Sequence, residues 1–181
     1  MANVALFALT GFGNIVLDEI TKNKDLNIVF LSTRKELRKF PYYECEQIDN
    51  FAQKKSVPVI YDATIIDNNI EYIIVATYHK LVKVENFVKC AVNIHPSFLP
   101  AYKGRDPIKD VLRNKEKSSG VTMHELTSKF DSGKIILKKK ILIQKDDDKS
   151  SIMIKMSPIY RDFTKYFINE MIKKNNELYN T

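Results

Sequence analysis

Five short apolar runs, Asn3 to Leu9, Leu26 to Leu31, Val57 to Ile60, Tyr72 to Ala76 and Ala91 to His95, divide the first half of the chain. Their residues are apolar without alternation, as in strands buried on both faces; a strand with one wet face alternates apolar and polar residues. Between the runs lie stretches that read as helices: from the Thr10-Gly11-Phe12-Gly13-Asn14 turn to about Thr21, from Glu44 to Lys55, and from the end of the fourth run to about Lys89. This succession predicts a doubly wound, mostly parallel α/β sheet with right-handed crossovers and helices on both faces.

The second half continues the pattern. Asp106-Pro107 reads as the N-cap and first position of a helix ending near Asn114, and Ser119 to Leu126 and Ile135 to Ile143 as two further strands. From Ser151 onward, Ile152, Met156, Ile159, Tyr160, Phe163, Phe167 and Met171 recur at helical spacing. That stripe packs into the core or against a second copy in a homodimer, and Pro158 predicts a kink or break in its helix. No repeat, low-complexity segment or linker divides the chain, and its 181 residues suit a single domain spanning 1–181.

Composition removes several classes. With 44% hydrophobic and 28% charged residues the chain is neither disordered nor equipped with an apolar run of membrane length. Val4 to Leu9 has no basic residue before it and no clear cleavage pattern after it, so it reads as a first strand, and a cytoplasmic location is expected. A net charge of +7 favours phosphate-bearing or otherwise anionic ligands without separating RNA from a nucleotide, and Lys138-Lys139-Lys140 and Lys173-Lys174 read as solvated surface. Cys45 and Cys90 have no metal or disulfide spacing, and Asp146-Asp147-Asp148 reads as a solvated loop, so no metal is expected.

The glycine turn after the first strand fails as a dinucleotide fingerprint. Its third glycine would fall at Val16, and Leu31-Ser32-Thr33-Arg34 closes the second strand without an acid. What stays is local physics: Gly11 and Gly13 let backbone approach a ligand, and a helix N-terminus near Asn14 offers amides to an anion.

The chemistry concentrates in Val92 to Arg105. Asn93 and His95, two apart on a strand, face the same side, so an amide and an imidazole can converge on one polar group, while Ile94 faces the core. Pro96 and Pro100 then stiffen the rim. Downstream, Gly120-Val121-Thr122-Met123-His124-Glu125 leads to Asp131 on the Asp131-Ser132-Gly133 turn. Both motifs lie at predicted strand ends, where open α/β sheets place ligands.

Together, N-x-H-x-S-x-L-P-x-Y-x-G and G-V-T-x-H-x6-D-x-G resemble the 10-formyltetrahydrofolate-dependent formyltransferases: glycinamide ribonucleotide transformylase, methionyl-tRNA formyltransferase and the sugar N-formyltransferases. The resemblance covers most of the chain and implies a Rossmann-like formyltransferase fold. It places the family's catalytic Asn, His and Asp on Asn93, His95 and Asp131. Asn93 and His95 would donate to the oxyanion of a tetrahedral intermediate, and Asp131 would orient His95 and help remove the proton from the attacking amine. Ser97 and Thr122 would hold the trio by hydrogen bonds, Ser97 on the substrate side and Thr122 on the folate side. Tyr78, His79, Lys80 and Leu81 match the pterin-binding loop by position. Gly11, Phe12, Gly13, Tyr102, Lys103, Gly104 and Arg105 fall near the amine substrate, and a cis bond is implied at Leu99-Pro100.

The 102–108 segment and the glycine turn look most like the sugar enzymes, which makes the amine of a nucleotide-linked amino sugar the leading acceptor. Methionyl-tRNA formyltransferases carry a further C-terminal domain, so a nucleic-acid substrate is not expected for a chain of this length. Glycinamide ribonucleotide, hydrolysis of the formyl-folate, and a silent binding module on the same scaffold are the alternatives.

Overall fold

A computed structural model describes residues 1–36, 38–64 and 66–173; Lys174 of the second lysine pair lies outside them. Seven strands form one sheet in the order β3-β2-β1-β4-β5-β6-β7: β1 Ala2–Ala8, β2 Leu26–Thr33, β3 Val59–Tyr61, β4 Tyr72–Ala76, β5 Cys90–His95, β6 Ser118–Glu125 and β7 Ile135–Leu142. β1 to β5 run parallel, and β6 and β7 are antiparallel additions. The strand order reverses beside β1, where β4 begins the second winding, and that switch point opens a crevice at the strand ends.

The helices are α1 Phe12–Thr21, α2 Ile48–Lys54, α3 Pro107–Arg113 and α4 Lys149–Tyr166, the last continuing in π-helical turns Phe167–Lys173. Their apolar residues share one core with Val4, Leu6, Ile74, Val92, Ile94, Val121 and Met123. The other face, with Phe7, Phe30, Ile73 and Val75, is covered by the irregular segments around Ile66, Ile70, Tyr78 and Val82. The helix expected before Lys89 is therefore absent. Tyr78 anchors the segment instead, its hydroxyl bonding Ser32 Oγ at 2.8 Å and the Ala63 carbonyl at 2.9 Å, and these long-range bonds outweigh a local helical preference. The Glu44–Lys55 expectation shrinks to α2, with residues 38–47 irregular.

The C-terminal stripe is spent inside the chain. Ile152, Met156, Ile159, Tyr160, Phe163 and Phe167 are buried in the helical-face core, and Met171 packs partly against it. Tyr160 stacks on Phe12 with ring centroids 4.0 Å apart and donates its hydroxyl to the Ile94 carbonyl at 2.9 Å, tying α4 to the end of β5. Pro158 does not break α4. The carbonyl its missing N–H would have bonded belongs to Ile154, on the exposed side of the helix. The acidic run is also structural: Asp148 caps α4 by accepting from the Ser151 amide at 2.8 Å, and Asp147 pairs with Lys155. No helix among the described residues is long and apolar enough to cross a membrane.

Candidate active site

Register on β5 and β6 builds the site. Antiparallel pairing sets Asn93 opposite His124 and His95 opposite Thr122, so these four polar side chains share the sheet face away from Val92, Ile94, Val121 and Met123. Asp131 arrives from the β6–β7 connection with φ 48°, a left-handed conformation that Asp tolerates better than most residues. Gly133 makes that turn fit: a Cβ there would lie 1.8 Å from the Glu125 carbonyl oxygen.

Asp131 Oδ1 is the hub. Asn93 Nδ2 donates to it at 3.2 Å, while His95 Nδ1 lies at 3.3 Å and His124 Nε2 at 3.4 Å. Its other oxygen accepts the Gly104 amide at 2.8 Å. Asn93 Nδ2 also contacts His124 Nε2 at 3.2 Å, and His124 Nδ1 donates to the Glu125 carbonyl at 2.8 Å. His95 Nε2 donates to the Tyr102 carbonyl at 3.0 Å, since a carbonyl can only accept.

Burial pushes the His95 imidazolium below its ordinary range, against the pull of the Asp131 carboxylate and the Tyr102 carbonyl. Burial alone would raise Asp131, but the His124 ring, the charge of His95 and the Gly104 amide outweigh it, and its carboxyl sits below the usual range. At neutral pH the pair is thus a carboxylate beside a neutral imidazole whose Nδ1 is able to take a proton.

These groups line a cleft of about 1200 Å³. Its apolar lining includes Val75, Tyr78, Leu81, Val82 and Leu126, with His79 and Lys80 also on it; His79 Nε2 pairs with Asp62 at 2.8 Å. The lining also holds Phe40, Tyr42, Arg105 and Lys149 and the cations of Arg34, Lys35, Arg38 and Lys39. Lys149 donates to Asp106 at 2.8 Å and lies 4.5 Å from the Tyr42 ring centre.

Several expected site residues lie elsewhere. Thr122, fully buried, accepts from the Leu99 amide and donates to the Ser97 carbonyl, and Ser97 donates to the Ala101 carbonyl. Both hold the loop around the cis Leu99-Pro100 bond and neither lines the cleft. Lys138 braces the same loop, donating to the Leu99 carbonyl at 2.8 Å over the Phe98 ring. Tyr102 and Lys103 are also off the lining, and the Tyr102 hydroxyl turns outward to Glu116.

The amides of Gly11, Gly13 and Asn14 in the glycine turn are taken up within the chain. Gly11 donates to Asn14 Oδ1, Gly13 to the Leu9 carbonyl and Asn14 to the Gly11 carbonyl, while the Phe40 ring fills the space over Gly11. Gly13 is pressed against Ala8 and Ile48, and Phe12 and Gly104 do line the cleft. Sequence reasoning passed over His124, which its own motif contained one side-chain period beyond Thr122, and the basic 34–42 segment, which carries no periodic signal.

A family model, "Formyl transferase", matches residues 4–159. The chain belongs to the formyl transferase family. Among relatives, this formyl transferase is 30% identical over 176 residues to the methionyl-tRNA formyltransferase of Dictyoglomus thermophilum, a match covering 88% of this chain and 55% of that protein. The chain thus spans about half the length of the curated relatives it matches. Its fold matches an N-formyltransferase from Helicobacter canadensis in complex with folinic acid and dTDP-3-aminofucose, with TM-score 0.75, 22% identity, and coverage of 96% of this chain and 65% of that one. It also matches phosphoribosylglycinamide formyltransferase from Bacillus halodurans, with TM-score 0.70, 22% identity, and coverage of 92% and 96%.

Proposed function

We propose that this chain moves the formyl group of 10-formyltetrahydrofolate to the primary amine of an anionic substrate, with a nucleotide-linked amino sugar as the leading acceptor. The observation that carries the reading is that Asn93 and His95 both lie within 3.3 Å of Asp131 on a cleft lined by apolar and cationic side chains. In the reaction the amine nitrogen attacks the formyl carbon, the new C–N bond forms, the C–N10 bond breaks, and the proton lost by the amine is returned to N10. The product is a formamide and tetrahydrofolate, with no metal or redox partner consumed.

The roles follow from which atoms are committed. His95 Nε2–H is held by Tyr102 in this structure, which leaves Asn93 the freer of the two expected oxyanion donors. Asn93 takes that part: its two contacts are long at 3.2 Å, and an oxyanion exchanges for one of them. His95 Nδ1 and Asp131 then handle the amine proton. The apolar lining with Tyr78, Leu81 and Val82 suits the pterin ring, and the cations on the lining suit phosphates.

The relatives favour a second acceptor, initiator methionyl-tRNA, and the basic 34–39 segment would suit its backbone equally. The deciding experiment is a formyl-transfer assay with nucleotide-linked amino sugars, glycinamide ribonucleotide and methionyl-tRNA, with His95→Ala as control. Turnover on a sugar alone supports the lead. Turnover on tRNA moves the assignment there, formate release without an amine marks a hydrolase, and inactivity on all of them marks a binding module.

A further inference from the structure

Two atoms of one tight turn hold two ionisable members of the site, His95 and Asp131. The Tyr102 carbonyl accepts from His95 Nε2 at 3.0 Å, and two residues on the Gly104 amide donates to Asp131 Oδ2 at 2.8 Å. With His95 Nδ1 facing Asp131 Oδ1 at 3.3 Å, the four groups close a ring: turn carbonyl, imidazole, carboxylate, turn amide. The ring sets which imidazole nitrogen faces the turn carbonyl and which faces the carboxylate.

The turn itself is backbone-strained. Tyr102 has φ 57° and Gly104 φ 107°, and a non-glycine residue in the left-handed region persists only where its surroundings impose it. The partners of its side chain lie outside the cleft. The Tyr102 hydroxyl donates to Glu116 Oε1 at 2.5 Å and accepts from Asn114 Nδ2 at 3.1 Å, both just past the end of α3, where Lys115 is also left-handed with φ 52°. Gly104 has open space around its Cα, so packing does not hold the turn at that end.

We infer that Tyr102 is a positioning residue: its hydroxyl, anchored on Glu116 and Asn114, seats the 102–104 turn, and the seated turn sets the tautomer and orientation of His95 against Asp131. This rests on the formyl-transfer reading for its catalytic consequence, but the imidazole geometry is measurable without it.

The test is long-range 15N–1H NMR of the His95 ring in the full chain, with formyl-transfer kinetics alongside, for Tyr102→Phe, Glu116→Ala and Glu116→Gln. Wild type should show a single neutral tautomer protonated on Nε2. Tyr102→Phe and Glu116→Ala should each give averaged ring shifts, and the double variant should add nothing to Tyr102→Phe, which already removes the Glu116 bond. Glu116→Gln keeps an acceptor and should behave as wild type. In kinetics the two disruptive variants should lose about tenfold or more in kcat with KM nearly unchanged, since an ångström of misplacement costs up to ~100-fold. Unchanged ring shifts in both disruptive variants overturn the inference, as does altered tautomerism with undiminished kcat in an active enzyme. An inactive wild type with the expected shifts overturns the transfer reading alone.

Discussion

His95 Nδ1 and Asp131 Oδ1 lie 3.3 Å apart with their side chains only 6% and 4% exposed, so a carboxylate and an imidazole share a nearly sealed site. Neither could be placed there without the other groups that satisfy it. A substitution that keeps the shape of either member is therefore expected to act on chemistry before it acts on folding.

Asp131→Asn keeps the shape and, because Asn also accepts left-handed backbone, keeps the turn. It removes the negative charge that stabilises an imidazolium on His95. A fall in kcat of about 100-fold to 10,000-fold is expected, the usual worth of general acid–base catalysis, with an unaltered circular dichroism spectrum. Activity within twofold of wild type would remove Asp131 from the mechanism.

Stability should fall on mild acidification. His95 is depressed in the folded chain relative to its ordinary 6.5, so its contribution is complete above that value and is lost as pH drops toward the folded value. Asp131 is depressed too and adds a second loss below its ordinary 3.8. Urea denaturation from pH 8 to pH 5 should show a slope in wild type that His95→Gln flattens.

Gly133→Ala would drive a methyl to 1.8 Å from the Glu125 carbonyl oxygen, a backbone atom that cannot rotate away. Destabilisation of about 1–3 kcal/mol is expected from such overpacking, and activity should fall further because Asp131 rides on the same turn. Chemical denaturation and kcat measured together will separate the two effects.

Reversing charge on the cleft rim, with Arg38→Glu and Lys39→Glu, should raise KM for the anionic acceptor and leave kcat and the folate KM nearly unchanged. The effect should shrink as salt rises, since exposed charges are screened over about 8 Å at physiological ionic strength. A KM that ignores both substitutions would place the acceptor elsewhere.

Tyr160→Phe leaves the Ile94 carbonyl without its buried donor while keeping the stack on Phe12. A loss of about 1–3 kcal/mol in stability is expected, the usual cost of a buried group left unpaired.

The strands were legible because burial on both faces writes an uninterrupted apolar run, and the facing of Asn93 and His95 followed from a period of two. The segment around Tyr78 was not. Its course is set by bonds to Ser32 and Ala63, distant partners that leave no local pattern. Thr122 and Ser97 were recognised as hydrogen-bonders, but only the structure shows that they hold the Leu99-Pro100 loop and stay out of the cleft.

The sequence by itself determined the sheet, the family motifs and the chemistry at hand: an amide, an imidazole and a carboxylate near strand ends. Tertiary structure alone decided which atoms meet. The β5–β6 register brought His124 to Asn93, a left-handed turn aimed the Tyr102 carbonyl at His95, and the packing of Gly133 on Glu125 set Asp131 between them. Residue type and spacing are local properties of the chain. Proton placement depends on which donor faces which acceptor in three dimensions, and that is fixed only when distant segments close on one another.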